Sequence, residues 1–178
     1  CWHESGDCEV QLALVGGRRQ MCIEDRVEWM GRQATPPSVL ISGSAVGYYG
    51  AQGNTPLDEA ADPVDEYQHR LCRDWEAAAQ RAQGLGSRVV RLRIGVVLDQ
   101  HGGALQAMLP PFRRGLRGWL GHGRHWMSWT HRKDLVALIQ LALSAPPFNC
   151  AVRALAPTPV TYPHSLTALR PYCYPPVV

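Results

Sequence analysis

The stretch Val39-Leu-Ile-Ser-Gly-Ser-Ala-Val-Gly-Tyr-Tyr-Gly50 constrains the fold more than any other part of the chain. Val39, Leu40 and Ile41 form a short apolar strand seed that stops abruptly in Ser42, Gly43 and Ser44, and two adjacent tyrosines follow. A continuous apolar strand is buried on both faces, as strands of parallel sheets are. In open α/β sheets such a strand delivers its last side chains to the carboxyl edge, where ligands bind. Ser44 is the side chain so delivered. The competing reading is a strand closed by a Gly-rich turn that carries no chemistry.

The flanking segments agree with an α/β chain. Ile23, Val27 and Met30 stand at helical spacing within a helix expected over Met21–Gln33, which Thr35-Pro-Pro37 stops. Strand Val39–Ser42 is followed by a loop, Ala51–Pro63, marked by Gly53-Asn54 and two prolines. A helix is expected from Glu66 to Ala82, with Leu71, Trp75, Ala78, Ala79 and Ala82 as its buried stripe. Arg70 lies one turn before Asp74 on its polar face, and Gly84 and Gly86 end it. Arg88–Leu98 reads as one strand, and Ala104–Leu109 as a segment broken by Pro110-Pro111. An arginine-rich stretch leads into a Trp-rich loop, Trp119–Trp129, before a last helix over Asp134–Ser144. Strands alternating with helices of this length imply crossover units, hence a mainly parallel sheet with helices on its faces.

Bulk properties narrow the function classes. A net charge of +3 over 178 residues is too small to imply a polyanionic partner, so no nucleic-acid partner is expected. No window of eighteen uninterrupted apolar residues occurs, which argues against a membrane span. The cysteines at 1, 8, 22, 72, 150 and 173 contain no C-x-x-C pair and fit reduced thiols in a cytoplasmic protein. Residues 1–20 show neither period, and the tail from Pro171 to Val178 is apolar and Pro-rich. Both ends read as cut edges, so a fragment is expected, organised as an edge (1–20), a partial dinucleotide-binding domain (21–150) and a truncated C-terminal segment (151–178).

Three other chemistries have weaker support. A hydrolase needs G-x-S-x-G, but Ser44 sits in Gly43-Ser-Ala-Val-Gly47, the wrong spacing for a nucleophile elbow. His122, His125 and His131 lack an acidic or thiol ligand spaced with them, so no metal is expected. Arg113, Arg114, Arg117 and Arg124, interleaved with Trp119 and Trp126, are explained by a solvated face as well as by single-stranded nucleic acid.

Five ordered blocks carry a family resemblance. They are Ile41–Gly50, Leu71-Cys-Arg-Asp-Trp-Glu-Ala-Ala-Ala79, Arg93-Ile-Gly-Val-Val-Leu98, Met108-Leu-Pro-Pro-Phe112 and Trp126-Met-Ser-Trp-Thr-His-Arg-Lys-Asp134. Together they resemble the extended short-chain dehydrogenase/reductases, and within them the "epimerase family protein" branch. The resemblance implies a Rossmann-type doubly wound parallel sheet, without its N-terminal half-site and with a remnant of a smaller C-terminal lobe. It also implies NADP as cofactor, NAD being possible, and an epimerase or oxidoreductase acting on an unknown small molecule, sugar-like substrates being one possibility.

The same resemblance assigns residues. Ser44 would polarise the substrate oxygen and line the cofactor. Arg26, in Glu24-Asp-Arg-Val-Glu28, matches an arginine implicated in dinucleotide binding. Arg93 and Val96 fall in the block that resembles the nicotinamide-side wall, and Asp134 either orients the loop before its helix or favours the helix N-terminus through the dipole. The superfamily's Tyr-x-x-x-Lys pair, in which the lysine and the cofactor's charge lower the tyrosine pKa, falls on Gln68 and Cys72 here. Tyr67 is one residue early, with Leu71 as its partner. Tyr48 or Tyr49 would have to replace the missing acid. The family's G-x-x-G-x-x-G phosphate turn is not supplied either, since Gly84-Leu-Gly86 follows a helix and Gly102-Gly103 lacks the third glycine. A catalytically silent dinucleotide-binding or regulatory protein is therefore the alternative from a different class.

Overall fold

In the computed structural model of the chain, residues 15–113, 126–145, 148–157 and 160–161 are described. Ile23, Val27 and Met30 do share the inner side of a helix, α1 (Val15–Gly31), which begins six residues before the expected Met21. Its first turns, Val-Gly-Gly-Arg-Arg-Gln, hold two poor helix formers and no apolar period, so periodicity alone could not find them. Strand β1 (Val39–Ala45) outlasts its apolar seed and runs through Gly43 and Ser44 to Ala45. A 3₁₀ turn, Val46–Tyr49, follows directly. Helix α2 (Tyr67–Gln80) then passes into a 3₁₀ turn, Arg81–Leu85, which ends at Gly86 as the glycines predict.

The run expected as one strand is two, β2 (Arg88–Ile94) and β3 (Val96–Asp99). Gly95 separates them. A Cβ at this position would stand 2.5 Å from the Ser128 carbonyl oxygen and 2.7 Å from a Leu155 methyl. The next amide, Val96 N–H, donates to the same Ser128 oxygen at 2.8 Å. The absence of a side chain thus lets the backbones approach and lets the chain change sheets.

Helix α3 (Gly103–Arg113) does not break at Pro110-Pro111. The two prolines fall near its C-terminal end, so only the carbonyls of Gln106 and Ala107 lose their donors, and a proline φ fits the helix. The Trp-rich loop ends in two short strands, β4 (Trp126–Met127) and β5 (Trp129–His131). Helix α4 (Arg132–Ser144) is followed by β6 (Ala151–Ala154) and β7 (Val160–Thr161). The sheets are β1-β2-β6, the parallel pair β3-β5 with Val96 opposite Trp129, and the antiparallel pair β4-β7.

Two compact units result: Cys1–Arg93 with Ala142–Val152, and Ile94–Leu141 with Arg153–Val178. In the first, Ile23 and Met30 of α1 pack with Ala78 and Ala79 of α2, Ala82, and Val89 of β2. Of the expected α2 stripe, Ala78, Ala79 and Ala82 are in this core with Trp75 at its margin, whereas Leu71 is only half-buried and is not part of it. Arg88 ties the returning chain to this unit by donating to the carbonyls of Ala142, Leu143 and Phe148 at 2.8, 3.1 and 2.7 Å. Two of these are carbonyls of the last α4 turn, where a cation is favoured. In the second unit, Leu98, Leu105 and Trp129 form a smaller core.

Candidate functional site

Helix α2 carries a second buried stripe, and it is polar. His69, Cys72 and Glu76 lie one or two turns apart, each under 10% exposed. Burying such groups is costly unless every one finds a partner. Their partners come from the end of β1, the 3₁₀ turn behind it, and β2. Gly47 allows this turn to close on α2, because a Cβ there would already touch the Gln68 side chain at 3.4 Å.

Glu76 and Arg93 form the centre. Arg93 Nε donates to Glu76 Oε1 at 2.9 Å and Nη2 to Oε2 at 3.0 Å, a two-pronged pair sealed from solvent. Arg93 Nη1 donates to the Tyr49 hydroxyl at 2.9 Å and to the Glu59 carbonyl at 3.2 Å. Burial penalises its charge, but the bonds to Glu76 and Tyr49 outweigh that cost and hold its pKa above the ordinary arginine value. The guanidinium also lies beneath the Tyr48 ring, 3.4 Å from its centroid. Arg91 Nη1 approaches Glu76 Oε2 at 3.4 Å from the side.

Ser44, next to last in β1, donates its hydroxyl proton to Glu76 Oε1 at 2.8 Å. The Cys72 thiol lies beside the same Ser44 side chain. Burial pushes this thiol up; bonds to the Ala45 backbone and Ser44 oppose the rise, and the Glu76 charge adds to it. It therefore stays protonated, a poor nucleophile. Tyr48 is half-buried and fixed from three sides. Arg93 lies under it, the Tyr49 ring meets it edge-on at 5.5 Å, and the His69 ring at 5.0 Å. His69 Nδ1 donates to the Tyr48 carbonyl at 2.6 Å. Gln52 bridges the Tyr49 and Asp62 carbonyls at 3.1 and 2.7 Å, and Val64 N–H returns to Tyr49 O at 3.0 Å. The loop after the tyrosines is thus closed on itself.

Of the residues expected to act, Ser44, Tyr48 and Arg93 share this cluster. Ser44 and Tyr48 stand at its half-open side, whereas Arg93 and Tyr49 are each 3% exposed and lie inside it. Arg26 is exposed on α1, with no ion-pair partner among the described residues. Val96 belongs to the second unit; its amide is committed to Ser128, and its side chain is partly exposed. Asp134 is exposed in the first turn of α4. The motif positions Gln68 and Cys72 diverge, since Gln68 is exposed and Cys72 is buried beside Ser44. Arg70 bonds Asp65 at 3.3 Å rather than Asp74, which pairs with Arg73. His122, His125, Arg114, Arg117, Trp119 and Arg124 lie outside the described residues. No group of three metal-ligating side chains occurs among the described ones.

Glu76 and His69 escaped the sequence reading. Their signal was present, since 69, 72 and 76 fall on one helical face, but polar residues in such a stripe ordinarily mark solvent.

A nicotinamide dinucleotide fits these residues in part. Arg26 supplies a cation with no ion-pair partner among the described residues, and Ser44 and Tyr48 supply polar groups at and just beyond the carboxyl end of β1. Arg93 has four of its donors committed inside the protein and would act only by shaping that wall.

Comparison with known proteins agrees with the fold. Residues 24–151 match the model of the NAD dependent epimerase/dehydratase family. The "Epimerase family protein SDR39U1 homolog, chloroplastic" of Arabidopsis thaliana is 44% identical over 124 residues, covering 70% of this chain and 35% of its own length. "Epimerase family protein Mb2239" of Mycobacterium bovis is 42% identical over 131 residues, covering 74% and 44%. The crystal structure of the human epimerase family protein SDR39U1 (isoform 2), solved with NADPH, superimposes with a TM-score of 0.77. It is 32% identical, and the match covers 90% of this chain and 53% of that one. The expected Rossmann-like α/β fold is thereby shown. The chain spans about half or less of the length of these proteins.

Proposed function

Because the chain belongs to the NAD dependent epimerase/dehydratase family, we propose that it is part of an NADP-dependent epimerase- or oxidoreductase-like protein that acts on a small hydroxylated or carbonyl molecule. The observation that carries this reading is Ser44. It stands at the carboxyl end of β1, held by Glu76 and flanked by Tyr48, where α/β sheets bind their ligands. When bound, the cofactor would supply hydride chemistry. Arg26 would meet a phosphate, Ser44 would hold the substrate oxygen, and Tyr48, its ring fixed by Arg93 and His69, would be the proton donor. NADP is favoured over NAD by the NADPH of the human relative. The thiols of Cys22, Cys72 and Cys150 suit a reducing compartment such as the cytoplasm. No described helix is long and apolar enough to cross a membrane.

A fluorescence titration with NADPH and NADH tests the reading. Micromolar binding of NADPH by the full-length protein is expected, and failure of that protein to bind either nucleotide would overturn it. A second reading rests on Cys72. A neutral buried thiol where the superfamily places lysine cannot lower a phenol's pKa as an ammonium does. The protein would then bind the dinucleotide without turnover. NADPH binding with no oxidation across a panel of aldehydes and ketones favours this silent form.

A further inference from the structure

Residues 50–63 leave the polar cluster after Tyr49 and return to it at Val64. The two ends are joined, since Val64 N–H donates to Tyr49 O at 3.0 Å. Gly50, at φ +71°, lies so close to Val64 that a Cβ there would stand 3.0 Å from the Val64 carbonyl oxygen. A compact loop with its ends so joined is an Ω-loop. Gln52 ties its limbs together, with Nε2 donating to Tyr49 O at 3.1 Å and to Asp62 O at 2.7 Å. Arg93 Nη1 donates to Glu59 O at 3.2 Å, which places the loop over the guanidinium. None of residues 50–63 is buried, whereas Tyr49 and Arg93 are each 3% exposed. No buried apolar side chain therefore anchors the loop. Asp58, Glu59 and Asp62 add mutual repulsion, with no Lys or Arg between 50 and 63.

We infer that residues 50–63 form a strap that opens as one piece while the surrounding elements stay folded, that Gln52 is its latch, and that opening uncovers Tyr49 and the Nη1 edge of Arg93. A segment without buried apolar anchors opens locally far more readily than the whole protein unfolds. Water replaces each bond that Gln52 makes when the strap lifts, so the net worth of each is small. The two bonds from Arg93 to Glu76 are made beneath the strap and do not break with it. The guanidinium thus keeps its place and turns one charged donor edge toward whatever enters. This holds whatever binds at the end of β1.

Two probes read the opening in the full-length protein, with products located by mass spectrometry. Glu-C protease cuts after acidic residues, and tetranitromethane nitrates accessible phenols. Gln52→Ala should speed the cut after Glu59 and the nitration of Tyr49 together, each about ten-fold, as the loss of one or two net hydrogen bonds predicts. Gln52→Glu keeps the side chain's size but brings a like charge and no donor, and should do at least as much. Tyr67, 67% exposed, should be nitrated equally in all three proteins. Below the unfolding transition both rates should change little with urea, because lifting the strap exposes little surface. No acceleration, acceleration at only one of the two positions, Gln52→Glu behaving as the unmodified protein, or rates that climb with urea as global unfolding does would each overturn the inference. The NADPH titration is independent of these outcomes and reports on the cofactor reading alone.

Discussion

Glu76 of α2 and Arg93 of β2 face each other through two parallel hydrogen bonds of 2.9 and 3.0 Å, with both side chains 4% exposed. Around this pair the protein assembles Ser44, Tyr48 and Tyr49. The ion pair therefore links the helix that packs the core to the strand end that would receive a ligand.

Removing one partner leaves the other charged and buried. Glu76→Ala should lower stability by about 3–5 kcal/mol in urea unfolding. Replacing both, as Glu76→Met with Arg93→Met, should cost clearly less than the sum of the single changes, because no uncompensated charge remains. Additive losses would show that the pair does not act as a unit.

Gly95 is predicted to tolerate no side chain. A Cβ would have to displace the Ser128 backbone oxygen from 2.5 Å. Gly95→Ala should therefore lower stability by about 1–3 kcal/mol, the range for overpacking. A melting temperature equal to that of the unmodified protein would refute the close contact.

The Cys72 thiol has a folded pKa above the ordinary value of 9.0, chiefly through burial. Below that value folded and unfolded states both hold the proton, and the contribution is fully present. Above it the unfolded chain loses the proton first, so stability falls as pH rises toward the folded pKa. The loss with pH, measured by urea midpoints from pH 8 to 10, should be shallower in Cys72→Ala. Iodoacetamide at neutral pH should label the exposed Cys150 well before Cys72.

Arg26 is exposed on α1, away from any ion pair among the described residues. Arg26→Ala should change the unfolding free energy by no more than about 0.5 kcal/mol, as surface changes do. If the guanidinium meets a phosphate, NADPH affinity should fall about ten-fold, a charge-assisted bond being worth about 1.5–3 kcal/mol. Unchanged affinity would remove Arg26 from the cofactor's surroundings.

Legibility followed the range of the forces involved. Helices α1, α2 and α4 were visible because each repeats apolar residues at helical spacing, and β1 because Val39, Leu40 and Ile41 are a bare apolar run. Strands β4 and β5 were not, since two or three residues show no period and exist through their partners β7 and β3. The break at Gly95 was hidden for the same reason. Its cause is Ser128, thirty-three residues away.

At the site, Ser44 and Tyr48 could be picked out from the strand end itself. The amino-acid order by itself determined that an apolar strand would end beside Ser44, with the two tyrosines just beyond it. Only the tertiary structure decided that Glu76 takes the Ser44 proton and that Arg93 lies inside the protein rather than on its surface. The physical reason is desolvation. A buried charge must find its partners wherever the fold brings them, and Arg93 finds Glu76 at a sequence distance of 17 residues, beyond the reach of any local pattern.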